Sequence, residues 1–171
     1  MNHSLHRYVF IIFVMVALVF SACVSTIQHL YIRPAEDGQM QYHIDPTLIR
    51  ERDGKLSIGI DLTYRTRDET VSAPAYVNFT LHDKKELHEI TGLSFVFEDG
   101  ATATASAYRI LEKNLIKNNL RIETTMSAAE FQKILDKIDL QSQIHVTYDS
   151  RVRIFPVTKT LLRKIQTAKQ L

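Results

Sequence analysis

The sequence predicts an α+β domain, an antiparallel β-rich body folded as a sandwich or a single twisted sheet and closed by two C-terminal amphipathic helices. Three observations predict it. Leu56, Ile58, Ile60, Leu62 and Tyr64 alternate without a break against Ser57, Gly59, Asp61, Thr63 and Arg65, the period of a half-buried strand. Shorter alternating runs recur downstream between turn signals, as expected of antiparallel strands with one wet face. After Ser127, and again after Thr158, the apolar period lengthens to that of a helix.

The domain is expected over 42–171. Asp53-Gly54 is a hairpin signal, since both central positions of a type I′ turn take positive φ, so 47–52 should pair with 55–65. Ala75, Val77, Phe79 and Leu81 face inward on the next strand, with Tyr76, Asn78 and Thr80 outward. A charged stretch over 82–89 follows, and Leu93, Phe95 and Phe97 then alternate up to Glu98-Asp99-Gly100. Beyond that turn Thr102, Thr104, Ser106, Tyr108 and Ile110 share a face opposite four alanines. The alanines suit a helix, but threonine at every second position favours a strand.

Residues 113–119 read as a polar loop leading to a strand with Leu120, Ile122 and Thr124. Ser127-x-x-Glu130 is a capping box, and Phe131, Ile134, Leu135 and Ile138 give the helix behind it an apolar stripe. Residues 143–148 and 151–155 form a hairpin through Asp149-Ser150, with Val152 and Ile154 expected inside and Pro156 stopping it. Thr158 caps the last helix, which sets Leu161, Leu162, Ile165 and Ala168 against Lys159, Arg163, Lys164 and Lys169.

Ahead of the domain, Arg7 and the α-amino group precede an unbroken apolar run over 9–20, with no acid before Glu36. The run fits the roughly 7–15 residues of a secretory h-region and falls short of the roughly 20 that span a bilayer. Counting 8–27 as an uncleaved membrane helix remains the competing reading, although Ser21, Cys23, Ser25 and Thr26 make its far half polar. Phe20-Ser21-Ala22-Cys23 resembles the lipobox of bacterial lipoproteins, with Phe20 where leucine is commonest in that family. The resemblance implies a signal peptide over 1–22, cleavage between Ala22 and Cys23, a diacylglyceryl thioether on Cys23, and acylation of the freed amine by a chain such as palmitate. It also implies anchorage by covalent lipid, since two or three chains hold where one is marginal. In that family the residue after the cysteine influences sorting; Val24 is not the aspartate of inner-membrane retention, so the outer membrane is favoured in a host with two membranes. Residues 23–41 are then lipidated cysteine and tether, with Pro34 and Glu36-Asp37-Gly38 interrupting a short edge strand around Leu30.

Removing 1–22 takes away one charged residue, Arg7, and leaves twenty Lys and Arg against nineteen Asp and Glu. That balance makes no case for nucleic acid or for an anionic surface. Cys23 is the sole cysteine, so the domain has no disulfide and its stability rests on burial.

Candidate sites are few. His82, Asp83, Glu86, His88 and Glu89 form the richest metal-capable cluster, but the spacing matches neither a helical His-Glu-x-x-His nor a calcium loop, and Lys84 and Lys85 would oppose a cation. No nucleophile motif is present, which leaves a metal-dependent or carboxylate hydrolase, with Asp61 and Glu98 as a possible pair, the least supported class. Tyr76 and Tyr108 are the candidate ligand-binding residues, each on an open sheet face with hydroxyl-bearing neighbours. No cofactor is expected. The functional expectation is a lipid-anchored envelope protein with a structural or protein-interaction role, or one that binds glycan or peptidoglycan.

Overall fold

A computed structural model describes residues 29–83 and 87–171. The leader, the cleavage site at Ala22, Cys23, and the residues Lys84, Lys85 and Glu86 lie outside the described residues. The strands in chain order are β1 (Leu30–Pro34), β2 (Met40–Arg50), β3 (Leu56–Arg67), β4 (Thr70–Val71), β5 (Ala75–Asp83), β6 (Ile90–Val96), β7 (Thr102–Thr104), β8 (Ala107–Asn114), β9 (Asn119–Met126), β10 (Gln143–Tyr148) and β11 (Arg151–Pro156). The helices are α1 (Ala128–Lys137) and α2 (Lys159–Lys169). Among the described residues no helix is long and apolar enough to cross a membrane.

The fold is α+β and antiparallel, as its pattern predicts, in the two-sheet form. The large sheet is ordered β1-β2-β3-β5-β9-β8 with β4 paired to β3, and the small sheet β11-β10-β6-β7. Their facing sides form one continuous core. The strict alternation of β3 buries Leu56, Ile58, Ile60, Leu62 and Tyr64, and cross-strand register aligns them with Val77, Phe79 and Leu81 of β5, which in turn meet Leu120, Ile122 and Thr124 of β9. Phe95, Val146, Tyr148 and Phe155 close the core from the small sheet. Where four strands cannot cover six, helices do: Phe131 of α1 lies on Tyr64, itself stacked on Tyr42, with ring centroids 5.0 Å apart in both pairs.

Irregularities have local causes. Pro46 has no N–H for the ladder, and it sits in the bulge between Ile44 and Thr47 of β2. The carbonyls of Asp45 and Pro46 there accept hydrogen bonds of 3.0 and 3.1 Å from Lys164 Nζ, so this lysine of α2 is buried and does not join the exposed face expected for it. Its burial pulls the ammonium below the ordinary lysine range, with Asp45 opposing that shift. The Ser127 hydroxyl caps α1 by accepting from Glu130 N, but the Glu130 carboxylate does not reach back. It accepts from Thr104 N of β7 at 2.9 Å and pairs with Lys133, tying α1 to the small sheet.

Other expectations are corrected by turn geometry. Asp149 and Ser150 both take positive φ, which makes a two-residue turn and pairs Tyr148 with Arg151. Phe155 therefore shares the inner face with Ile144, while Val152 and Ile154 turn outward, against expectation. At Asp53-Gly54 only Gly54 has positive φ, and a longer loop closes with Glu51 N donating to Leu56 O. The run 102–110 is two strands in two sheets: Ala105 N donates to Leu93 O, and the next amide, Ser106 N, to Thr125 O. Leu30–Pro34, read as lead-in, is the edge strand of the large sheet, paired with β2.

These assignments set two expected outcomes. Phe155→Ala should cost about 3–5 kcal/mol in chemical denaturation and Val152→Ala less than about 0.5, the reverse of the ranking an inward Val152 would give. Burial raises the Tyr148 phenol to about 12, against the phenol's hydrogen bond from His88 N, which lowers it. Because the unfolded phenol ionises near pH 10, the associated stability is intact below about pH 10 and is lost as pH rises toward the folded value. Urea midpoints compared at about pH 9 and pH 11 should fall less for Tyr148→Phe than for the parent chain.

Candidate polar face of the large sheet

Strand alternation that buries one side of β3, β5 and β9 leaves the other side polar, and among the described residues no strand or helix covers it. Register sets the rows. Asp61 of β3 lies beside Asn78 of β5, Asn78 beside Glu123 of β9, and Glu123 beside Arg109 of β8. One row over, Thr63, Tyr76 and Thr125 align; on the other side, Gly59, Thr80 and Arg121.

At the centre is a carboxylate that sequence alone places on a wet face. Asp61 is 1% exposed, because Arg121 and Asn78 fold over it. Arg121 donates to Asp61 Oδ2 at 3.0 Å and to Thr80 Oγ1 at 3.1 Å, and Asn78 Nδ2 donates to Asp61 Oδ1 at 2.9 Å. Such a pair fixes geometry more than it adds stability, since desolvating the carboxylate offsets much of the Coulomb attraction. Arg109 and Glu123 add a second pair at 2.7 Å, and His43 Nδ1 meets Thr63 Oγ1 at 2.8 Å.

Beside this network is an open cleft of about 440 Å³, lined by Thr63, Arg65, Pro74, Tyr76, Asn78 and Glu123 among others. Tyr76 is the exposed aromatic wall. With its amide nitrogen committed to Asp61, Asn78 has an Oδ1 that is shielded from solvent and has no hydrogen-bond partner. The cleft thus offers an aromatic face at Tyr76, a guanidinium donor at Arg65 and a carboxylate at Glu123, while the Asn78 oxygen stays behind them. It is equipped to hold a hydroxyl-rich or peptide ligand; no activated nucleophile lines it.

The other candidates fall elsewhere. Tyr108 faces the inside: its hydroxyl accepts from Leu93 N at 2.9 Å and donates to Ala105 O at 3.3 Å, joining the two sheets. The Tyr108 hydroxyl is committed to this contact between the sheets, whereas Tyr76 stays exposed on the outer face. His82 lines a different groove with Arg50 and Lys117, whereas the His88 ring packs edge-on against Tyr148, 5.5 Å away, near Asp149. Asp83 accepts from the Tyr148 hydroxyl, and Glu89 is exposed. Among the described residues no group of three or more His, Cys, Asp or Glu is placed to hold a metal ion. Glu98 sits in the turn after β6, on the small sheet, so it does not pair with Asp61.

Removing Arg121 alone strands a buried carboxylate. Arg121→Met should destabilise by about 3 kcal/mol, and adding Asp61→Asn should recover most of that loss, as read from a double-mutant cycle in urea. No protein-family model matches the chain, and neither a curated protein nor a solved structure matches it.

Proposed function

We propose that the chain is a lipid-anchored bacterial cell-envelope protein whose domain binds a partner through the polar face of its large sheet. The single observation carrying the binding role is that this face is prearranged and bare. A buried ion pair and amide hold its side chains in place, and no strand or helix of the described residues covers them. The anchor rests on Phe20-Ser21-Ala22-Cys23 at the end of the apolar run over 9–20, and on the lipobox pattern that this resembles. Acylation of Cys23 places the domain at a membrane surface, with outer-membrane sorting following from Val24 where there are two membranes.

A second reading is favoured by one specific observation. The cleft combines the exposed Tyr76 ring with the Arg65 guanidinium and the Glu123 carboxylate, groups suited to a sugar ring and its hydroxyls, so the partner is glycan or peptidoglycan in that reading.

Intact-mass measurement of material purified from the native host should show a chain beginning at an acylated Cys23; an unmodified sulfur or a retained Met1 contradicts the anchor. A photo-cross-linking residue at position 76, compared with one at Val152 on the small sheet, tests the binding face in the same cells. Discrete adducts are expected from position 76 and none from 152. Equal labelling from both contradicts the assignment, and retention of the chain on insoluble peptidoglycan that Tyr76→Ala abolishes selects the glycan reading.

A further inference from the structure

The turn joining β8 to β9 is built against the usual logic of a hairpin tip. Leu115 is 69% and Ile116 97% exposed within the turn, and Ile110 and Leu111 on the adjoining edge strand are also exposed. Lys113 and Lys117 bracket the two apolar tip residues. The turn itself is well formed, with Asn118 at positive φ and Lys117 N donating to Asn114 Oδ1 at 3.0 Å, so the apolar pair is presented by an ordered support.

Next to the tip is a groove of about 390 Å³ whose lining includes the cations Arg50, Lys55 and Lys117. The acids near it are engaged within the protein: Glu51 with Arg153, Asp53 with Lys55, and Asp83 with the Tyr148 hydroxyl. Arg50, Lys113 and Lys117 have no carboxylate partner among the described residues. Two apolar side chains protruding between unpaired cations match a bilayer boundary, in which acyl chains lie just beneath anionic headgroups.

The path of the chain supports the same partner. β1 begins at Leu30 beside Ile44 and runs antiparallel to β2, away from the sheet end that carries the β2–β3 and β8–β9 turns. The N-terminal side of β1 therefore faces that end. With β1 and β8 at opposite edges of the sheet, five strand spacings of roughly 4.8 Å separate the two features by about 24 Å across the sheet, and Leu30 is level with Tyr108, set back along the strands from the tip.

We infer that the β8–β9 tip is a membrane-docking element, with Leu115 and Ile116 entering the acyl boundary of an anionic bilayer and Lys113, Lys117 and the Arg50 groove meeting lipid phosphates. A tether alone leaves a domain free to rotate. A second contact at the opposite edge of the sheet, about 24 Å across it from the first strand, sets its tilt and stands the polar sheet face upright on the surface. The docking surface is argued from the tip and groove and does not require a thioether on Cys23.

The test uses the full chain carrying Cys23→Ser, reconstituted in vesicles, with a polarity-sensitive fluorophore at Ile116→Cys or, as control, at Glu98→Cys on the opposite end. Vesicles of phosphatidylglycerol and phosphatidylethanolamine are compared with phosphatidylcholine alone, each containing a lipid-borne quencher. Blue-shifted, quenched emission is expected at 116 in the anionic vesicles only, with position 98 unaffected. Lys113→Gln/Lys117→Gln should lower the docked-to-undocked ratio about 30-fold, as expected for removing two surface cations. Emission at 116 that matches position 98 in both vesicle types overturns the inference, as does quenching at 116 that is indifferent to lipid charge and to the two lysines. Because Cys23 is replaced, neither result bears on whether the native chain is acylated, which intact mass reads separately.

Discussion

One constraint organises the molecule: the large sheet has a continuous apolar face that must be covered, and the small sheet is too narrow to cover it. Four strands face six, so the remaining area falls to α1 and α2, and Phe131 on Tyr64 is the contact through which α1 does this. With no disulfide available among the described residues, the fold rests on this burial. All covering elements lie on one side. The opposite face is left uncovered by any strand or helix of the described residues.

That bare face is held in shape from within. Asp61 is shielded from solvent, and its carboxylate is met by Arg121 and Asn78 across two strand boundaries, so side chains that would otherwise move freely share one geometry. The tip of β8–β9 adds a second kind of surface at one end of the same sheet. In the proposed orientation the apolar tip and the N-terminal side of β1 lie at the membrane. The Tyr76 face then stands clear of it, so the proposed anchoring and the proposed recognition use different surfaces of one sheet.

The parts of this structure legible in the sequence are those fixed by local pattern. The alternation of β3, the Ser127 cap and the stripe of α1 each depend on residues within a dozen positions. What was not legible depends on register or on distant partners. Asp61 reads as an outward surface acid until the pairing of β3 with β5 and of β5 with β9 brings Asn78 and Arg121 over it. Val152 and Ile154 look internal until the two-residue turn fixes which face Tyr148 passes on to Arg151. Lys164 looks solvated because nothing in α2 announces the bulge carbonyls at Asp45 and Pro46. The run 102–110 keeps its alternation while the chain changes sheets, and the hydrogen bonds at Ala105 and Ser106, not the side-chain pattern, mark the crossing. Tyr108 lies just past that crossing, and its hydroxyl reaches back to Leu93 and Ala105. For Tyr76, alternation alone sufficed.

Tyrosines report on both faces, so the central claim can be read from them in the intact chain. Tyr76 lies on the bare face at 43% exposure and Tyr31 on the edge strand at 62%, while Tyr42, Tyr64 and Tyr148 are buried in the core. Hydroxyl-radical footprinting of the purified protein, resolved by residue, should oxidise Tyr31 and Tyr76 under native conditions and reach Tyr42, Tyr64 and Tyr148 only on unfolding. Protection of Tyr76 in the purified chain, or native-state oxidation of Tyr64 or Tyr148 at the rate of Tyr76, would contradict a two-sided sheet with one covered and one open face.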